Sequence, residues 1–181
     1  MPQFTRAALL VVDVQKAIDA AYHAAAGPRN NPDAERNIAR LLAEWRREQR
    51  PIVHIRHDST SAASAYRPGQ EGNEFKDEVA PAAGETVIPK RTNSAFIGTG
   101  LEQHLRESGL ETLVVVEEIG ARVLHALIEK QAVEIVSEIV VVRDVLLCLA
   151  DWVCLLEALE AARDATQHFL QRIGAELKPV H

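Results

Sequence analysis

Three positions in the chain stand where chemistry is done in layered α/β proteins. Asp13 closes the apolar run AALLVVDV, residues 7 to 14. Lys90 closes the short run TVIPK. A third apolar run, TLVVVE at 112 to 117, leads into the turn and helix start GARVLHALI at 120 to 128. A carboxylate at the end of a buried strand is a candidate proton acceptor, with strand-end or helix capping as its plain alternative. An ammonium beside such a carboxylate, or beside a thiol, favours their charged forms. The turn after a strand is a favoured place for a nucleophile, yet Gly120, Ala121, Arg122, Val123 and Leu124 offer none. His125 is a weak base candidate there and reads more simply as an ordinary helix residue. The adjacent carboxylates Glu117 and Glu118 would be costly at a buried strand end unless paired or solvated. Lys90 is a natural partner for one of them.

Positioning these residues requires strands whose C-terminal ends lie side by side. The runs 7–14, IVHIRH after Pro51, TVIPK, TLVVVE and EIVVVRD at 138–144 read as five strands. Continuous apolar runs of this kind are typical of parallel strands covered on both faces. Helices fall between them. Asn31-Pro32-Asp33 opens one that runs to about Gln49, with Ile38, Leu41, Leu42 and Trp45 at helical spacing. GTGLEQHLRESG is a short helix stopped by Gly109. Further helices are expected over 119–134 and 146–172, with AELKPV as a last strand. Strand and helix alternation predicts a three-layer αβα sandwich with a mostly parallel sheet. No repeat or linker divides the chain, so residues 1–181 read as one domain. Ligands of such sheets bind beyond the carboxyl ends of the strands. Asp13, Lys90 and the turn after residue 117 can therefore converge. The polar stretch 58–85 is long for a connection in a compact domain, and loops of that length usually serve function.

Composition narrows the field. The chain of 181 residues is 47% hydrophobic and 25% charged, with a net charge of −6 at pH 7. That balance carries no basic footprint for nucleic acid. No apolar run is long enough to span a bilayer, and the N-terminal stretch lacks a secretory signal pattern. Two cysteines, Cys148 and Cys154, make no disulfide framework and read as core residues of a reduced, cytoplasmic protein. A dinucleotide site is not expected, because no Gly-x-Gly-x-x-Gly follows the first strand. His54 and His57 would point to opposite faces of one strand, so no metal is expected. No cofactor is expected either.

Four stretches together resemble the isochorismatase-like cysteine hydrolases, a family of small amidohydrolases and related enzymes. They are LLVVDVQ, PIVHIRHDS, the loop RPGQEGNEFKDEVAP leading into VIPKRTNSAFIGTGLEQHLRESGLETLVVV, and EIVVVRD. The resemblance is nearly uninterrupted over the first 116 residues. It implies a small α/β hydrolase acting through an aspartate, a lysine and a cysteine. The thiolate would attack a carbonyl or related carbon, the aspartate would accept and return the proton, and the lysine would keep both in charged form. Asp13 and Lys90 correspond to two of these roles. Counting back from Asp144 places the family's cysteine at Leu124, so the pattern Gly-x-x-Thr-x-x-Cys is replaced within EEIGARVL. The resemblance therefore implies a hydrolase scaffold for small amide or vinyl-ether substrates that lacks the cysteine-dependent reaction. The alternative is an inactive scaffold, natural or redesigned, that serves homo-oligomer assembly or binding. The sharp edge at residue 117 favours redesign. The apolar segment 145–159 covers more than one helix face and is the expected self-association surface. A small-molecule ligand is expected at the strand ends.

Overall fold

The computed structural model describes residues 7–20, 32–110, 112–117 and 138–141. The strands are β1 (Ala7–Val12), β2 (Ile52–His57), β3 (Thr86–Lys90), β4 (Thr112–Glu117) and β5 (Glu138–Val141). Among the described residues the α-helices are α1 (Ala34–Arg47) and α2 (Leu101–Glu107). Among the described residues, five strands form one sheet in the order β3-β2-β1-β4-β5, and each of its pairings is parallel. β1 is the central strand and is buried along its whole length.

Alternation along β1 divides the core into two layers. Ala8, Leu10 and Val12 join Val53, Ile55, Ile88, Leu113 and Val115 beneath Leu101 and Leu105 of α2. Leu9 and Val11 join Ile52, Val114 and Val116 against Ile38, Leu41, Leu42 and Trp45 of α1. A strand covered on both faces needs apolar residues at every position, which is why AALLVV shows no polar alternation. The helix–sheet–helix layering is the one expected, and β1 to β4 fall where the apolar runs placed them. α1 is shorter than the expected 31–49, and Gln49 follows it with a left-handed φ of 53°. β5 is described as far as Val141. The helices expected over 119–134 and 146–172, the final strand, and Leu124, His125, Asp144, Cys148 and Cys154 lie outside the described residues. Among the described residues, no helix is long and apolar enough to cross a membrane.

The strand order creates the place for a site. From β1 the chain steps outward through β2 to β3, then returns to the other side of β1 as β4. The connections therefore diverge at the C-terminal ends of β1 and β4, the topological switch point where open α/β sheets bind ligands. Val12 stands opposite Glu117 across that junction.

The 58–85 stretch is a built wall rather than a slack connection. It contains short 3-10 turns at Glu71–Asn73 and Asp77–Val79. Gly72 packs so closely that an added Cβ would lie 2.6 Å from the Ala65 carbonyl oxygen and 3.1 Å from the Ala17 Cβ. Its lack of a side chain lets the loop close onto the turn after β1. Lys76 reaches Asp19 at 2.6 Å and Glu35 at 2.9 Å, tying the loop to that turn and to α1.

Candidate functional site

Asp13 follows β1 directly and adopts a left-handed backbone with φ 57°. That region is sterically costly for residues with a Cβ, though aspartate is among those that enter it most readily. In a continued strand the Asp13 side chain would share the α1 face with Leu9 and Val11. The left-handed turn breaks the alternation. Lys90 ends β3 beside His57 of β2 and lies on the same side as Ile88, the α2 face. Its side chain is 1% exposed and crosses the end of β2 to place Nζ 2.6 Å from Asp13 Oδ2. Nζ also donates to the Asn93 carbonyl at 3.1 Å. The two residues are 77 positions apart in sequence (90 − 13) and meet at the carboxyl end of the sheet.

The electrostatics of this pair oppose one another. Burial pushes the Asp13 carboxyl above its ordinary value, while the Lys90 ammonium pulls it back, and burial prevails. Among the described residues Asp13 Oδ1 has no hydrogen-bond partner, so Lys90 supplies the principal compensation for the buried charge. A carboxylate in this setting is a stronger proton acceptor than an exposed aspartate. Lys90 thus forms an ion pair with Asp13. Glu118 lies outside the described residues.

His57 completes the described rim. Its ring meets Tyr66 edge-to-face at 5.5 Å between centroids. Burial holds its pKa below the ordinary histidine value, Asp13 raises it, Lys90 lowers it and Asp58 raises it. Asp58 is itself pushed up by burial, but hydrogen bonds from Arg56 and Asn73 bring it below the usual carboxylate range. His54, three residues earlier on β2, is fully buried and belongs to another cluster. Its Nε2 lies 2.8 Å from Glu85 Oε2. The separation of His54 from His57 follows strand alternation, as the sequence suggested. Among the described residues no group of three or more His, Cys, Asp or Glu side chains is placed to hold a metal ion.

Asp13 and Lys90 are thus brought together, whereas Leu124 lies outside the described residues. Sequence reasoning passed over the polar residues behind the pair, chiefly Gln15 and Asn73. The only sequence signal for Gln15 was its place two residues after Asp13 in LLVVDVQ.

Residues 7–116 match the isochorismatase domain family. The match ends at the last residue before the departure noted in the sequence. An uncharacterized isochorismatase family protein of Bacillus subtilis is 41% identical over 108 residues, covering 60% of this chain and 56% of the relative. A secreted isochorismatase effector of Verticillium dahliae is 35% identical over 88 residues, covering 48% of this chain and 46% of that protein. The matched part thus spans about half the length of these two curated relatives. Among solved structures, an isochorismatase-family protein from Chromobacterium violaceum is 52% identical with a TM-score of 0.59, covering 65% of this chain and 62% of that one. An isochorismatase from Pseudomonas putida is 29% identical with a TM-score of 0.68, covering 78% and 71%.

Proposed function

The chain belongs to the isochorismatase family of hydrolases, and on that premise we propose that it is a hydrolase scaffold which keeps the charged half of the family site without the cysteine-dependent reaction. The Asp13–Lys90 contact of 2.6 Å at the switch point carries this reading. It supplies a proton acceptor, held charged by an ammonium, where a small amide or vinyl ether would sit. The position expected for the thiol nucleophile is Leu124, whose side chain can neither attack a carbonyl nor shuttle a proton. Asp13 could still activate water, but members of a catalytic unit act together. Loss of the nucleophile therefore removes most of the rate, by orders of magnitude.

A second reading makes the chain a binding or assembly scaffold. It is favoured by the segment 145–159, where Leu146, Leu147, Leu149, Trp152, Val153, Leu155, Leu156 and Leu159 leave little polar surface for a helix to present. A homo-oligomer formed through this segment would bury it.

Leu124→Cys separates the two. Under the hydrolase-scaffold reading, the variant becomes labelled at position 124 by a thiol-alkylating probe. It also gains hydrolysis of small amides or isochorismate over the parent chain. If the variant stays inert and is merely less stable, the segment after residue 117 is packed for another purpose and the assembly reading takes its place.

A further inference from the structure

Gln15 stands two residues after Asp13 and is completely buried. Its side chain is used at both ends. Oε1 accepts a hydrogen bond from the His57 backbone N–H at 2.7 Å. Nε2 donates to the His57 carbonyl at 3.2 Å and to the Asn73 carbonyl at 2.8 Å. The carboxamide thus mimics a neighbouring strand at the end of β2, satisfying both main-chain groups of His57. Its own N–H donates to the Asp13 carbonyl at 2.9 Å, which closes the left-handed turn at Asp13 from behind. Gln15 also forms an isolated antiparallel bridge with Phe75.

Asn73 extends the same hub. Its Nδ2 donates to the His57 carbonyl at 2.9 Å, to Asp58 Oδ1 at 3.0 Å and to the Tyr66 carbonyl at 2.9 Å. Three segments therefore meet at one buried carboxamide: the Asp13 turn, the end of β2 that carries His57, and the wall formed by residues 59–76. Buried polar groups joined this way hold one geometry, because any displacement leaves several of them unpaired at once.

We propose that Gln15 is a positioning residue that clamps the Asp13 turn to the His57 end of β2, so that Asp13, Lys90 and His57 form one fixed cluster facing the ligand space. The proposal rests on the reading of Asp13 and Lys90 as the site. Its consequences do not depend on turnover. Gln15 touches neither the Asp13 carboxylate nor the Lys90 ammonium in any described hydrogen bond. It acts through the backbone on either side of them.

The test is an NMR titration of the His57 ring, assigned by comparison with His57→Gln. The ionisable groups acting on that ring are Asp13, Lys90 and Asp58. In the parent chain the ring titrates below the ordinary histidine value, with burial as the main cause. Gln15→Met keeps the length and bulk but loses every side-chain hydrogen bond. It frees the strand end, admits water and raises the proton affinity of His57 towards the ordinary histidine value. Gln15→Asn keeps a carboxamide one methylene too short and shifts the titration in the same direction by less. It decides the matter if the methionine variant does not fold. Leu42→Ala, in the α1 layer of the core, loses stability without moving His57. If a folded Gln15 variant leaves the His57 titration unchanged, or if Leu42→Ala moves it equally, Gln15 is structural filling and the proposal fails. An unchanged titration leaves the Asp13–Lys90 reading intact. Absence of hydrolysis in every variant leaves the titration result intact.

Discussion

Lys90→Met destabilises the chain by about 3–5 kcal/mol at neutral pH, the range for removing one partner of a buried ion pair. Methionine fills much of the lysine volume, so the loss is chiefly electrostatic. Asp13 is left with a buried carboxylate whose Oδ1 already lacks a partner among the described residues. The pH dependence follows from the direction of the Asp13 shift. Its folded-state pKa lies above the ordinary aspartate value of 3.8 because burial outweighs Lys90. A raised acid means that the folded state holds its proton more tightly than the unfolded chain. Asp13 therefore weakens the fold as pH rises from the unfolded value through the folded one. Removing Lys90 raises the folded value further and widens that window. Urea unfolding of both chains from pH 4 to pH 8 measures this. The stability gap is smallest at the acid end, grows with pH, and levels off above the variant's Asp13 pKa. A gap independent of pH would mean that Lys90 does not compensate Asp13.

Glu85→Gln acts in the opposite sense on the acid side. Glu85 accepts two hydrogen bonds from Arg46, at 2.7 and 2.9 Å, one from the Ala82 N–H at 2.9 Å, and approaches His54 at 2.8 Å. The Arg46 guanidinium is the main reason its pKa falls from 4.5 to about 2, with burial opposing. A depressed acid stabilises the fold at pH values above its unfolded pKa, and that contribution is lost as pH falls from about 4.5 to about 2. The shift corresponds to about 3 kcal/mol for a group only 12% exposed. Glu85→Gln therefore lowers stability at pH 7 by about 2–3 kcal/mol. It also flattens the fall in stability between pH 4.5 and 2, which unfolding curves across that interval reveal. Arg46 lies on α1, His54 on β2, and Glu85 just before β3, so the cluster pins the start of β3 beside its neighbours. It supports the strand that delivers Lys90 without being part of the site.

How much of this could be read from sequence depended on the kind of interaction. β1 was legible because burial on both faces removes polar alternation, and Asp13 was conspicuous as the first charge after it. Lys90 was legible as the end of TVIPK. That the two could meet followed from parallel strands presenting their carboxyl ends together. Their actual contact also needs the left-handed turn at Asp13, and no residue pattern announced that turn. The strand order, with β1 central and β4 on its far side, left no mark on the apolar runs either. The Gln15–Asn73 bond joins residues 58 apart, and Arg46–Glu85 residues 39 apart. Hydrogen bonds over such distances follow neither helical nor strand periodicity. A buried glutamine and a surface glutamine look alike in sequence, and the structure distinguishes them by what they bond. The change at residue 117 was legible as composition alone, and the family match stops at residue 116.

On the proposed function, the chain retains the Asp13–Lys90 couple but performs no thiol-dependent hydrolysis. The measurement to make is hydrolysis of small amides and isochorismate by the 181-residue chain before and after alkylation of its two cysteines. No turnover that alkylation removes is expected. Hydrolysis that is present in the untreated chain and abolished by alkylation would contradict it, because Cys148 or Cys154 would then be supplying the nucleophile.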